Sequence, residues 1–170
     1  YSVDGTDGLY LIPAPSSPGM IDAYRFTAFA KKAAELYDTV IFDFPAGIDF
    51  SLYGCLPEGT LFLTVAVPDP VSVRDAAAVS GMLSDISCTS KLIINNFRCR
   101  LVKKKIFRNI DDIMDSAGLR LAGIVPASDE LMLLSVNHRL KSGGRPMSAF
   151  LRIASRLEGE HILLPDPKKI

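Results

Sequence analysis

The sequence has no excess of charge of either sign, and this bears on the partners that it could bind. Its 170 residues contain 19 Lys and Arg and 19 Asp and Glu, a formal net charge of zero. Nucleic-acid-binding domains usually carry a concentrated basic face. A local basic cluster at residues 98–108 is more simply explained as a solvated loop and helix entrance. The charge balance therefore gives no direct signal of a nucleic-acid partner.

Cysteine and histidine are scarce, which argues against disulfide frameworks and metal sites. Cys55, Cys88 and Cys99 are odd in number and have no C-x-x-C spacing, so neither a disulfide scaffold nor a zinc or iron–sulfur site is expected. His138 and His161 lie far apart and have no ligand-like neighbours. The cysteines are most simply interpreted as small apolar residues in a reducing compartment.

Long hydrophobic runs are also missing. No apolar stretch reaches the length of a membrane span, and the first residues have no charged-then-apolar signal pattern. Hydrophobic residues make up 48% and charged residues 22%, a balance typical of a globular protein. We expect a cytoplasmic protein in which residues 1–170 belong to a single domain.

What the sequence does contain is an alternation of short apolar runs and helical periodicity. The runs predict strands, and the apolar residues at helical spacing predict helices. Because the strand runs are continuously apolar rather than alternating, they favour a mostly parallel sheet with helices on both faces, an α/β fold. The predicted strands are residues 9–13, 39–44, 60–67, 91–95 and 121–125, and the predicted helices are 20–36, 71–86, 109–117 and 146–157, with a further short helix in 51–58.

An acidic residue stands near the end of the second predicted strand. Ligands of open parallel sheets bind at the carboxyl ends of the strands. Asp43 would be costly to desolvate there unless a metal ion or its bound water needs the charge. The residues that follow, Pro45, Ala46 and Gly47, have little side-chain bulk, so their backbone could approach a phosphate. A turn or helix-capping role for Asp43 is the alternative.

Polar residues follow the later predicted strands as well. Asp69 and Ser72 come after the third strand, where helix capping explains them without a ligand. Asn95 ends the fourth strand, and its amide suits either a purine edge or a turn. Pro126 and Asp129 follow the fifth strand. Each signal is weak alone, but all of them fall at strand ends.

Four segments together resemble the MinD/ParA-type, deviant-Walker branch of the P-loop ATPases. Residues 37–48 (YDTVIFDFPAGI) resemble the family's YDxxxxDxPAGI segment. Residues 67–76 (VPDPVSVRDA) resemble its TPE-x-x-S-x-RDA stretch, residues 91–95 (KLIIN) its K-x-x-x-N strand end, and residues 123–126 (GIVP) its G-x-x-P loop. The order and spacing agree over about residues 9–158, which indicates the C-terminal portion of one MinD/ParA-like ATPase domain.

The resemblance implies roles for particular residues. Asp43 is similar to the aspartate that holds Mg²⁺ through water, and Pro45, Ala46 and Gly47 to the switch that senses the γ-phosphate. Asn95 is similar to the asparagine that hydrogen-bonds adenine. Pro126 and the residues after it, including Asp129, resemble the loop that lies against the adenine ring. Residues 72–75 would mark a helix at the nucleotide-dependent homodimer and partner surface.

The sequence departs from the family at its phosphate-binding element. Members carry a Gly-rich K-G-G-x-G-K-[ST] loop between a strand and a helix, and no such motif occurs here, since the only Gly-Gly pair is Gly143–Gly144. Asn96 stands where a basic residue is common, and residues 164–170 form no membrane-targeting amphipathic helix. We therefore expect ATP and Mg²⁺ as cofactors of an intact protein, and an inactive chain without the loop.

Three functions remain open. The first is an ATPase that acts as a nucleotide-dependent switch in positioning or partitioning a cellular structure, together with a regulatory protein partner. The second is a non-catalytic interaction module that kept the sheet and lost nucleotide hydrolysis. The third is a biotin- or cobalamin-pathway ligase on the same fold, for which no amide-forming pocket can be located in the sequence.

Overall fold

The computed structural model describes residues 8–14, 21–45, 52–98, 107–133 and 144–164. Its chain divides into two units, Tyr1–Glu58 (unit 1) and Gly59–Ile170 (unit 2). No helix in the described parts of the chain is long and apolar enough to cross a membrane.

Unit 1 is built around helix α1, Ala23–Leu36. The Asp22 side chain caps the helix by accepting a hydrogen bond from the Arg25 backbone N–H at 2.9 Å, which satisfies a donor that the first turn leaves free. After Tyr37 the chain returns along the helix, and Phe42 packs edge-on against Phe26, with ring centroids 5.5 Å apart. The predicted helix at residues 20–36 is confirmed from Ala23 onward, and residue 20 lies outside the described residues.

The structure assigns no strand to residues 39–44, so the strand predicted there is wrong. A strand needs a backbone partner along its length, and aromatic packing on one side is what holds this segment. Phe42 contacts Phe29 as well as Phe26, and Phe44 contacts Tyr53 with ring centroids 4.9 Å apart. Ile41 points the other way and is 87% exposed. The segment therefore has one packed face instead of the two buried faces that its composition predicted.

The N-terminal strand prediction is also wrong. Residues 9–13 contain only an isolated bridge at Tyr10, and their large apolar side chains are exposed. The Tyr10 ring rests on Tyr37, with centroids 5.4 Å apart. The short helix predicted within 51–58 is a single 3₁₀ turn, Tyr53–Cys55. These segments are held by ring contacts and turns, without a strand ladder.

Unit 2 is an α/β layer structure around a three-stranded parallel sheet in the order β1-β2-β3. The elements match the predicted order, with strands and helices within a few residues of the predicted bounds. The sheet therefore confirms the α/β class and its parallel character. The elements are β1 (Leu61–Ala66), α2 (Pro70–Asp85), β2 (Thr89–Phe97), α3 (Ile110–Ala117), β3 (Arg120–Pro126), α4 (Asp129–Met132) and α5 (Arg145–Leu157).

One face of the sheet is covered by α2 and α3. Leu92 and Ile94 of β2 are fully buried in a cluster with apolar residues of both helices. Helix α3 is amphipathic and short: Asn109 caps its start by accepting from the Asp112 N–H at 2.8 Å, and Gly118 ends it in the left-handed conformation at φ 65°. This face holds the main hydrophobic core of the unit.

On the opposite face of the sheet, helix α5 packs against β3. Ile124 belongs to the α2/α3 cluster, so its neighbour Gly123 faces the other way, where a Cβ would lie 2.3 Å from Cγ1 of Ile153 on α5. Only glycine lets the helix approach this closely. On the same face β1 exposes Leu63 and Val65. Helices therefore lie on both faces, as the sequence predicted.

Candidate functional site

The carboxyl end of β1 leads into helix α2 through a tightly bonded turn. Asp69 accepts hydrogen bonds from the backbone N–H groups of Val71 and Ser72, both at 3.0 Å, and Pro70 stands at the first helical position. The Ser72 hydroxyl accepts from the Val67 N–H at 3.0 Å. Both polar residues have structural roles in this turn, in line with the simpler interpretation of the sequence.

The carboxyl end of β2 carries Asn95 and Asn96 in an irregular backbone. The register against β3 shifts between Ile94 and Phe97. Asn96 adopts the left-handed conformation, with φ 53°, and its backbone N–H donates to the Asn95 side-chain oxygen at 2.8 Å. This bond uses one of the two lone pairs of the Asn95 amide oxygen, while the NH₂ group of the same amide is a donor. Asn95 is half-buried and Asn96 is exposed.

The carboxyl end of β3 is hydrogen-bonded to the carboxyl end of β2. Pro126 pairs in register with Phe97, and the Ala127 N–H donates to the Phe97 carbonyl at 2.9 Å. Ser128 then caps the four-residue helix α4 by accepting from the Glu130 N–H at 3.2 Å, and Asp129 opens that helix, exposed. The structure therefore brings Asn95, Pro126 and Asp129 to one edge of the sheet, as parallel strands require.

The remaining predicted site residues belong to unit 1. Asp43 and Pro45 are exposed, on the side of their segment away from the rings of Phe42 and Phe44. Ala46 and Gly47, the rest of the predicted phosphate switch, lie outside the described residues. Asp43 does not end a regular strand as predicted, because its segment forms no strand.

The residue predicted to hold Mg²⁺, Asp43, contributes a single exposed carboxylate. Within the described residues no group of three or more His, Cys, Asp or Glu side chains could hold a metal ion. Magnesium keeps several of its waters and commonly uses one or two carboxylates together with substrate phosphates. One exposed carboxylate is compatible with that chemistry.

Two features of this edge were missed by sequence reasoning. The left-handed backbone at Asn96 and the Ser128 cap position the loops that flank Asn95 and Asp129. Asn is enriched among non-glycine residues with positive φ, and Ser directly before a short helical run is a capping signal, so both had weak signals in the sequence.

Proteins similar to this chain include several septum site-determining MinD proteins. No model of a known protein family matches the sequence. The septum site-determining protein MinD of Synechocystis is 31% identical over 168 residues, with 91% of this chain and 60% of that protein covered. MinD of Thermotoga maritima is 28% identical over 164 residues, covering 92% and 60%.

The solved structures agree with the sequence relatives. MinD of Aquifex aeolicus superposes with a TM-score of 0.77 at 26% identity, covering 86% of this chain and 64% of that one. The chain is MinD-like. The MinC:MinD complex of Aquifex aeolicus matches this MinD-like chain equally well, with a TM-score of 0.77. MinD of Pyrococcus horikoshii, solved with Mg-ADP, has a TM-score of 0.67 at 16% identity, covering 81% and 57%, and shares the fold.

The MinD-like chain spans 60% of the length of the two curated relatives. Its parallel α/β sheet matches the P-loop ATPase fold of the solved MinD and ParA proteins.

Proposed function

We propose that the MinD-like chain takes part in an ATP-dependent switch that positions a structure during cell division. The observation that carries this proposal is the 31% identity with the septum site-determining protein MinD of Synechocystis over 91% of the chain. The resemblance of residues 37–48 and 67–76 to the family's motifs falls within the same span.

The edge at the ends of β2 and β3 is proposed to receive the base of the nucleotide. The Asn95 oxygen accepts from the Asn96 N–H with one lone pair, and the NH₂ group of the same amide would donate to the base of ATP. The hydrogen bond from Ala127 to Phe97 fixes the loop after Pro126 beside that residue, and Asp129 follows at the start of α4. Helices, loops and free backbone groups converge at such edges of parallel sheets.

Asp43 is proposed to hold Mg²⁺ through water. A bound Mg²⁺ would neutralise part of the negative charge of the phosphates. The exposed carboxylate of Asp43 would accept hydrogen bonds from the water shell of the ion, and Pro45, Ala46 and Gly47 would respond to the γ-phosphate with little side-chain bulk in the way. These assignments follow the resemblance of the D-x-P-A-G segment.

Hydrolysis needs groups that the 170 residues do not contain. Phosphoryl transfer depends on backbone amides, a lysine and a hydroxyl around the phosphates, and the sequence has no Gly-Lys-[Ser/Thr] motif. We therefore expect the chain by itself to bind ATP weakly and not to hydrolyse it.

Helix α2 is proposed as the surface for a nucleotide-dependent homodimer and a regulatory protein partner. Its first turns expose Val71 and the neighbouring Arg74–Asp75 pair, joined by an ion pair of 3.2 Å with both side chains mostly exposed. The relative from Aquifex aeolicus forms a MinC:MinD complex. Action in the cytoplasm is part of the same proposal.

Titration with a fluorescent ATP analogue tests the proposal. With Mg²⁺ present we expect weak saturable binding, weakened about threefold to tenfold in Asn95→Ala, since one hydrogen bond to the base is lost. Asp43→Asn should remove the effect of Mg²⁺ on affinity. Asp38→Asn is the matched control, because Asp38 is also exposed and lies five residues earlier in unit 1.

Two results would count against the ATPase proposal. Binding that is unchanged in Asn95→Ala contradicts the base site, and Mg²⁺ dependence that persists in Asp43→Asn contradicts the metal role. A folded chain with no ATP binding at any concentration would instead favour the interaction module, which the absent phosphate loop makes the second candidate.

A further inference from the structure

The chain reverses direction directly after helix α5. Gly159 is left-handed, with φ 92°, and its N–H donates to the Arg156 carbonyl at 3.2 Å, while the Glu160 N–H donates to the Ser155 carbonyl at 2.9 Å. This pair of bonds is the Schellman arrangement that ends many helices at glycine. The following residues are therefore turned back toward the side of α5.

The Arg156 side chain binds the returning chain. Its Nε and Nη2 atoms both donate to the Ile162 carbonyl, at 2.8 and 2.7 Å, and its Nη1 atom donates to the Ala122 carbonyl of β3 at 2.9 Å. One planar guanidinium thus joins α5, β3 and the segment after α5. Lysine could not reproduce this geometry, because its ammonium is a single point donor without a fork.

The Ala122 carbonyl is available because β3 bulges there. Leu121 pairs with Leu92 and Gly123 pairs with Ile93, so Ala122 has no partner residue in β2. Ala122 is only 1% exposed. A buried carbonyl without a partner costs free energy, and Arg156 supplies the missing donor.

The Arg156 cation is held by carbonyl groups. Among the described residues the ion pairs are Lys32–Glu35 and Arg74–Asp75, and neither involves Arg156. Burial, and then the nearby charge of Arg152, lower the pKa of Arg156 from its usual value. The guanidinium is therefore anchored by backbone groups whose position depends on the local chain path.

We propose that residues 159–164 form a strap, held closed by Arg156, that opens as a unit while the sheet stays folded. Among the apolar side chains of the strap, Leu163 is 80% exposed and Leu164 44%, Ile162 is half-buried, and none is fully buried. Its internal backbone bond runs from the Ile162 N–H to the Glu160 carbonyl at 3.1 Å. Segments with few buried contacts open locally at low free energy. The direction in which the chain leaves α5 then depends on whether Arg156 is hydrogen-bonded to the Ile162 carbonyl.

Amide hydrogen exchange on the full chain tests the strap. In Arg156→Lys we expect exchange of the amides of residues 160–164 to accelerate about tenfold or more, because charge-assisted bonds to two carbonyls are weakened. Amides of β2 should keep their protection. Arg152→Lys, one helical turn earlier on α5, is the matched control and should leave the strap unchanged.

A second variant acts on the turn instead of the clamp. A Cβ at Gly159 would meet nothing within 4 Å, so Gly159→Ala strains only the left-handed backbone. It should also accelerate exchange in residues 160–164. Unchanged exchange in both variants would overturn the proposal, as would an equal loss of protection throughout β2, β3 and α5, which would make Arg156 a part of the core. Neither outcome depends on ATP.

Discussion

The contact between Gly123 and Ile153 gives a quantitative test of how α5 packs on the sheet. In Gly123→Ala the new Cβ would lie 2.3 Å from Cγ1 and 3.0 Å from Cδ1 of Ile153. An ordinary contact requires Cγ1 to move by roughly 1 Å, and overpacking of this kind costs about 1–3 kcal/mol. The substitution also lowers the conformational entropy of the unfolded chain, but this stabilises the folded state by only about 0.4–1 kcal/mol. We expect a net loss of unfolding free energy.

A double-mutant cycle isolates the clash. Ile153 is buried, so Ile153→Ala alone should cost about 2–5 kcal/mol. It also removes Cγ1 and Cδ1 and leaves only Cβ, which lies 3.6 Å from the position of the added methyl group, an ordinary contact distance. In the Ile153→Ala background the additional substitution Gly123→Ala should therefore cost nothing, and the coupling energy should be about 1–3 kcal/mol.

Urea unfolding followed by circular dichroism measures each free energy in the cycle. The close approach of helix and strand is refuted if Gly123→Ala costs the same in both backgrounds, or if it leaves the stability of the parent chain unchanged. Either result would mean that α5 does not approach β3 as closely as the structure places it.

Two further substitutions test the loops at the carboxyl edge. Asp69→Ala should lower the unfolding free energy by about 1 kcal/mol, because two N–H groups of α2 lose their acceptor. Asp69→Asn keeps an acceptor and should be nearly neutral. Equal losses of unfolding free energy in the two variants would contradict capping by Asp69. Asn96→Ala should cost about 1 kcal/mol in the same urea assay, because its backbone is left-handed, while Asn96→Gly should stay within about 0.5 kcal/mol. A neutral Asn96→Ala would show that the left-handed turn does not persist in solution.

Unit 2 could be predicted from the sequence because its signals are local. Residues 60–67 and 91–95 are apolar runs closed by Pro68 and Asn96, and the helices between them have caps and apolar faces at helical spacing. These signals coincide, within a few residues, with where β1, β2 and α2 begin and end. The parallel character of the sheet follows from such alternation of strands and helices.

The strands predicted in unit 1 failed for a physical reason. The composition of residues 39–44 shows that they are apolar, but it does not show which of their side chains pack against other residues. Phe42 and Phe44 pack on α1, and Ile41 remains exposed. Whether a segment forms a strand depends on the chain segments beside it as well as on its own residues.

The candidate site was predictable by residue type and not by geometry. The position of Asn95 at a strand end was visible in the sequence, but the engagement of its oxygen by the Asn96 N–H depends on the irregularity that shifts the β2–β3 register. The Arg156 clamp was not predictable at all, because it joins residues 34 positions apart through a bulged carbonyl.

The most direct test of the central claim, that the carboxyl edge of this sheet binds nucleotide, is a nuclear magnetic resonance titration of the isotope-labelled chain with Mg²⁺ and ATP. We expect the backbone amide signals of Asn95, Asn96, Ala127 and Asp129 to shift together with increasing ATP. Shifts confined to the opposite end of the sheet, near Arg120, or no shifts at all, would contradict the claim.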